Sequence, residues 1–113
     1  MSRLLSAGVV ALAGLAACTN LQSTYQNEPL VAQVRPGMSR EQVHQLGGAP
    51  LASVPRKIAA GTCDDYQLGR SGAATTYYVA YDASGKVQST GFTNCNGFEH
   101  AEYDRANPDH GGY

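Results

Sequence analysis

Thr75-Thr76-Tyr77-Tyr78-Val79-Ala80-Tyr81, followed at once by Asp82-Ala83-Ser84-Gly85, is the stretch on which the fold turns. β-Branched and aromatic side chains fill it, and these suit the half-buried surface of a pleated strand. Alternation puts Tyr77, Val79 and Tyr81 on one face and Thr76, Tyr78 and Ala80 on the other. The Asp-Ala-Ser-Gly run that follows reads as a hairpin connection. Upstream, Thr62 to Leu68 is a second strand, with Tyr66 and Leu68 on one face, and Gly69-Arg70-Ser71-Gly72 is its turn. Downstream, Lys86 to Thr93 makes a third strand, interrupted at Gly91, where a bulge or a close approach is expected. Two short connections in succession predict a three-stranded antiparallel meander, one face lying on helices and the other facing water.

The helices lie earlier in the chain. Ser39 and Gln42 have the spacing of a capping box, in which each side chain satisfies a backbone N–H of the other residue. Met38 before the cap and Val43 within the helix form a hydrophobic staple. Gly47 and Gly48 supply a left-handed stop and Pro50 prevents resumption, so the helix runs from about Arg40 to Leu46 with Val43 and Leu46 inward. Before it, Leu30, Val31 and Val34 form one short helical face with Pro29 in the first turn. Leu51 to Gly61 shows neither period, and Arg56 and Lys57 are expected to face solvent. From Glu99 to Tyr113 the chain is charged and ends in Pro108, Gly111 and Gly112, which predicts a disordered tail. The fold class is α+β, with two short helices packed on the meander.

The N-terminus is of another kind. Arg3 precedes an uncharged apolar run from Leu4 to Ala13, too short for a permanent span, which needs about 20 apolar residues. A charged start, a run of this length and a small-residue exit describe a secretory signal. The exit, Leu15-Ala16-Ala17-Cys18, resembles the lipobox read by bacterial lipoprotein signal peptidase. On that resemblance residues 1–17 are a signal peptide, Leu15, Ala16 and Ala17 are the peptidase recognition residues, and Cys18 carries diacylglycerol and an N-acyl chain such as palmitate. Thr19 stands where an Asp often retains such proteins in the inner membrane, so the expected destination is the outer membrane, facing the periplasm. Residues 18–28 are then the lipidated end and a flexible tether, 29–98 the folded domain and 99–113 the tail.

Removing the signal leaves 96 residues (113 less 17), one domain at most. Loss of Arg3 leaves 7 basic against 9 acidic residues, a formal net charge of −2 without a basic stripe, which argues against nucleic acid. Of the three cysteines, two remain once Cys18 is acylated, an even number in an oxidising compartment. A Cys63–Cys95 disulfide is expected, with free thiols or an intermolecular bridge as alternatives. A flat meander places these residues at opposite ends of the sheet, so the bond requires short strands or a chain that folds back beyond Gly91.

Gly37-Met38-Ser39-Arg40-Glu41-Gln42-Val43 followed by Leu46-Gly47-Gly48-Ala49-Pro50 resembles the helix-and-stop signature of the SmpA/OmlA (BamE-like) family of outer-membrane lipoproteins. Three further stretches resemble an osmotically inducible branch of that family. They are Gly61-Thr62-Cys63 with Tyr66 and Leu68-Gly69; Tyr77 to Tyr81 with Gly85; and Ser89-Thr90-Gly91-Phe92 through Cys95. The resemblance implies two helices on a three-stranded antiparallel sheet and a non-catalytic role in envelope integrity under osmotic stress. No cofactor beyond the acyl chains is implied. The partners it implies are outer-membrane lipid, through Cys18, and an envelope protein. Accessory work in outer-membrane β-barrel assembly, or regulation or inhibition of a periplasmic enzyme, are the alternatives.

His44 or His100 beside Cys63 or Cys95 would compose a Cys–His nucleophile, but no orienting group accompanies any such pair. Glu99, His100, Glu102, Asp104, Asp109 and His110 lack metal-ligand spacing on a rigid element, so no metal site is expected. There is no Gly-x-Ser-x-Gly, Walker loop or His-Glu-x-x-His. Tyr77, Tyr78 and Tyr81 put aromatic rings on both faces of one strand: one Tyr face is expected in the core with Tyr78 facing solvent, held by cross-strand packing, and the alternative is an aromatic interaction surface.

Overall fold

The structure, a computed structural model, describes residues 21–69 and 74–107. Among the described residues three helices come first: α1 (Leu21–Thr24), α2 (Pro29–Gln33) and α3 (Arg40–Gly47). Four strands follow, β1 (Ala52–Pro55), β2 (Thr62–Leu68), β3 (Thr75–Tyr81) and β4 (Val87–Gly91), and then α4 (Cys95–Ala106).

α3 is specified locally. The Gln42 N–H donates to Ser39 Oγ at 3.1 Å, and the Ser39 N–H donates to Gln42 Oε1 at 2.9 Å, completing the capping box. Such a cap contributes about 1 kcal/mol. Gly48, at φ +78°, turns the chain out of the helix while its N–H bonds His44 O at 2.8 Å. Gly47 is needed for space, because a Cβ there would overlap the Leu30 side chain where α2 meets α3.

The sheet is antiparallel throughout, in the order β1-β2-β3-β4, with Cys63 opposite Ala80, Asp65 opposite Tyr78 and Tyr78 opposite Gly91. The expected meander is therefore β2 to β4, and β1 adds a fourth strand on its edge. Four exposed residues, Ala-Ser-Val-Pro, carry no hydrophobic alternation and so gave no sign of it. The Arg56 N–H bonds Gly61 O at 3.0 Å, so Pro55, one residue earlier, faces the open side, where its missing N–H costs no ladder bond. The register shift lies between Ala80 and Tyr81. Gly91 marks a close approach, since a Cβ there would press on the Tyr78 ring.

Both faces of the sheet are covered. On one, α2 and α3 bury Leu30, Val31 and Val43 against Tyr66, Tyr77, Val79 and Tyr81. On the other, α4 buries Cys95 and Phe98 against Cys63, Tyr78 and Ala80. This corrects three expectations. The second face does not lie open to water; residues 99–106 are the last turns of α4 rather than a disordered tail, and positions 108–113 lie outside the described residues. Arg56, expected in solvent, is 7 % exposed. α4 carries no apolar period because only Cys95 and Phe98, both in its first turn, are buried, and the rest of the helix is mostly polar or charged.

The tether also differs from expectation. From Leu21 the chain is structured: the Tyr25 N–H bonds Leu21 O at 3.0 Å, and the Glu28 N–H bonds Tyr25 O at 3.0 Å. Tyr25 packs on the core with its ring 6.1 Å from that of Phe92. Local backbone bonds and an aromatic contact hold this segment, and no hydrophobic period marks it. Cys18 and the recognition residues Leu15, Ala16 and Ala17 lie outside the described residues.

Cys63 and Cys95 are joined, with Cα atoms 5.9 Å apart. The route is a fold-back: β4 ends at Gly91, and α4 opens three residues past Phe92, over β2. Closing a loop of 32 residues contributes about 3–4 kcal/mol in the chain-entropy model. Equilibrium urea unfolding of the Cys63→Ala, Cys95→Ala double variant should show a loss of about that size against the oxidised protein; an unchanged midpoint would mean the bond bears no load.

Candidate functional site

Three places concentrate chemistry. The first is Asp64, on β2, whose side chain is 0 % exposed. Arg40 and His44 reach it from one face of α3, one turn apart. His44 Nε2 lies 2.8 Å from Asp64 Oδ2, the Tyr81 hydroxyl donates to Oδ2 at 3.0 Å, and the Ser53 hydroxyl donates to Oδ1. Arg40 Nη2 lies 3.8 Å from Oδ1, donates to Ser53 Oγ at 3.2 Å, and its guanidinium sits 5.5 Å from the Tyr81 ring centre. A buried carboxylate survives only with such donors, since an unpaired charge there would cost several kcal/mol.

Composition alone would suggest a Ser–His–Asp relay, but the connectivity is wrong for one. Ser53 donates to the carboxylate rather than to the imidazole, so its hydroxyl is not presented to His44 as a nucleophile to deprotonate. What the cluster does is tie α3, β1 and β3 to one residue of β2. Burial, and then the charge of Asp64, pushes the Tyr66 hydroxyl up to about 12, and the same two causes push Tyr81 up as well. Tyr66 donates to Gly48 O at 3.1 Å, fixing the end of α3.

The second place is Arg56. Its Nη1 donates to Tyr81 O at 3.1 Å and Gln88 Oε1 at 2.8 Å, and its Nη2 to both Glu102 carboxylate oxygens at 2.9 and 3.0 Å. Glu99 Oε2 stands 3.5 Å from Nε, and Glu99 Oε1 accepts the N–H groups of Lys57 and Ile58 at 3.0 and 2.9 Å. The guanidinium lies 5.3 Å from the Phe98 ring centre, and Phe98 in turn stacks on Tyr78 at 4.5 Å. Two acids considered as metal ligands are thus the clamp that holds α4. His100 pairs with Asp104 at 3.4 Å along the exposed side of α4. Among the described residues no group of three or more His, Cys, Asp or Glu is placed to hold a metal ion.

The third place is the free edge. A cleft of about 410 Å³ lies between β1 and the start of α4, lined by Val54, Pro55, Lys57, Asp65, Cys95, Asn96 and Glu99. Leu51 (69 % exposed), Val54 (39 %) and Ile58 (40 %) follow one another along the same segment. Asp65 Oδ1 accepts the Cys95 N–H at 2.6 Å, so a side chain of the protein already occupies the start of α4. The tyrosines predicted to form a surface do not form one: Tyr77, Tyr78 and Tyr81 are 5 %, 7 % and 0 % exposed, because helices cover both faces of β3. The apolar strip escaped sequence reading, because its residues follow no strand or helix period.

A small antiparallel sheet beneath a capped helix, with a helix pinned back on its other face, defines the class of protein. The profile of the outer membrane protein assembly factor BamE domain matches residues 23–91, and the chain belongs to that family of envelope lipoproteins. It is 44 % identical over 107 residues to the osmotically-inducible putative lipoprotein OsmE of Escherichia coli, covering 92 % of this chain and 90 % of that one. An OsmE lipoprotein characterised by X-ray crystallography superposes with a TM-score of 0.71 at 38 % identity, covering 75 % of this chain and 98 % of that one. The chain is thus a BamE-family lipoprotein of the OsmE type.

Two outcomes follow from the Asp64 cluster. Asp64→Ala strands three donors and should cost about 3 kcal/mol in urea unfolding; a loss below about 1 kcal/mol would contradict a tying role. The folded state holds the Tyr66 proton more tightly than the unfolded chain does, at about 12 against 10. Stability from this group is therefore complete below pH 10 and lost as pH rises from 10 to 12. Melting temperatures across that range should fall less steeply for Tyr66→Phe than for the parent protein.

Proposed function

We propose that this lipoprotein is a non-catalytic outer-membrane module, anchored by acyl chains on Cys18 and facing the periplasm. It binds an envelope protein partner and supports the envelope under osmotic stress. The likeness to an osmotically inducible lipoprotein along nearly the whole chain is the observation that carries this reading. The lipobox Leu15-Ala16-Ala17-Cys18 supports the anchor, and Thr19 in place of an Asp supports the outer membrane.

The polar groups most able to do chemistry are engaged in holding the fold: Asp64, His44 and Ser53 with one another, and Arg56 with Glu99 and Glu102. That supports binding over turnover. The β1 edge, with its cleft and the strip of Leu51, Val54 and Ile58, is where a partner meets apolar surface. The description of the family domain as an assembly factor favours a second reading, accessory work in outer-membrane β-barrel assembly.

A photo-crosslinking residue placed at Val54 in the lipidated protein, in cells at low and high osmolarity, tests both. A discrete envelope-protein adduct that rises with osmolarity and is absent from the same probe at Glu41 on α3 is expected. An adduct with a barrel-assembly component, independent of osmolarity, favours the second reading, and no adduct at either osmolarity contradicts both.

A further inference from the structure

Only Thr19 and Asn20 separate Cys18 from α1. Three Cα–Cα steps of 3.8 Å reach at most about 11 Å, whatever their conformation. α1 is part of the folded unit: Tyr25 closes its turn and packs on Phe92, which meets Tyr77 edge-on at 4.9 Å. A bilayer's headgroup layer is roughly 5–8 Å deep on each side. An anchor seated at the base of that layer therefore leaves at most about 3–6 Å between the headgroups and α1.

We infer that the α1–β4 edge of the domain rests on the phospholipid headgroups around its own anchor, with Leu21 set into the interface and the β1 edge turned outward. This rests on the lipid-anchor reading above and adds an orientation to it. The surface fits the occupant. Leu21 is 43 % exposed, although it is a large apolar residue in a one-turn helix with no buried residue. One turn on stands the partly buried Tyr25, a ring of the kind that settles at headgroup level. Positions 19–27 read Thr-Asn-Leu-Gln-Ser-Thr-Tyr-Gln-Asn, without a charge to hold out of the layer or to bring salt dependence.

The same geometry accounts for where the cleft lies. β1 is three strands from β4, and at 4.7–4.9 Å per strand the two edges stand about 14 Å apart. Resting on β4 leaves β1 accessible to a partner from the periplasmic side. A tether of nine free residues would impose no orientation; two residues do.

The chain has no tryptophan, so single substitutions report position cleanly. The mature lipidated protein is reconstituted in phosphatidylethanolamine–phosphatidylglycerol vesicles containing lipid brominated on its acyl chains, as Leu21→Trp or as Leu51→Trp. Mass spectrometry establishes acylation of Cys18 in each sample. Leu21→Trp should be quenched several-fold more than Leu51→Trp, equally at low and high salt. Inserting twelve Gly and Ser residues between Asn20 and Leu21, a mean reach of about 20 Å, should abolish most of that difference while the protein stays with the vesicles. Equal quenching at the two positions, or an unquenched Leu21→Trp on an acylated chain, overturns the orientation while leaving the anchor intact. An unacylated Cys18 overturns both.

Discussion

The second face of the sheet depends on the covalent link between Cys63 and Cys95. The chain leaves β4 at Gly91 heading away from Cys63, and nothing in the hairpins would bring it back. The helix that returns is weakly apolar, with Cys95 and Phe98 its only buried residues. Two such side chains compensate poorly for ordering a dozen residues at about 1–2 kcal/mol of backbone entropy each. The bridge removes part of that cost in advance by restricting the unfolded chain. Once α4 is delivered, Phe98 reaches Tyr78 and the two acids reach Arg56.

Arg56 shows the dependence from the other side. Its guanidinium is fully covered, and breaking a buried ion pair by removing one partner costs about 3–5 kcal/mol. Arg56, Glu99 and Glu102 are therefore stable only together: the helix needs the bridge, and the arginine needs the helix. The Asp64 cluster plays the same part on the opposite face, tying α3 to three strands through one carboxylate. Each face thus has one buried charge answered by a neighbouring helix. The domain is small enough that these specific ties carry stability a larger core would supply by area. The β1 edge, where Pro55 blunts strand addition and apolar side chains remain uncovered, is left for contact with something else.

What could be read from the residues follows the range of the interactions. α3 was legible because its cap, staple and stop lie within a dozen positions, and Ser39 and Gln42 bond as their spacing implies. β2 to β4 were legible from alternation and turns, and the division of β3 into a Tyr77–Val79–Tyr81 face and a Tyr78–Ala80 face holds. β1 and α4 were not. Their partners lie far along the chain, and their exposed or charged residues read as loop and tail. α4 is also what covers Tyr78 and Arg56, so neither burial is legible without it. Tyr25 packs its ring near Phe92, a contact that no period announces. The cysteine count pointed to the bridge, and the requirement for a fold-back beyond Gly91 was visible, but its route was not.

Native-state amide hydrogen exchange on the oxidised protein is the most direct measurement of whether α4 belongs to the same cooperative unit as the sheet. The bridge and the Arg56 clamp predict that amides in the middle of α4 exchange through the same global opening as those of Val79 and Ala80 on β3, with matching free energies. Exchange of the α4 amides at the rate of an unstructured peptide, while β3 stays protected, would contradict it.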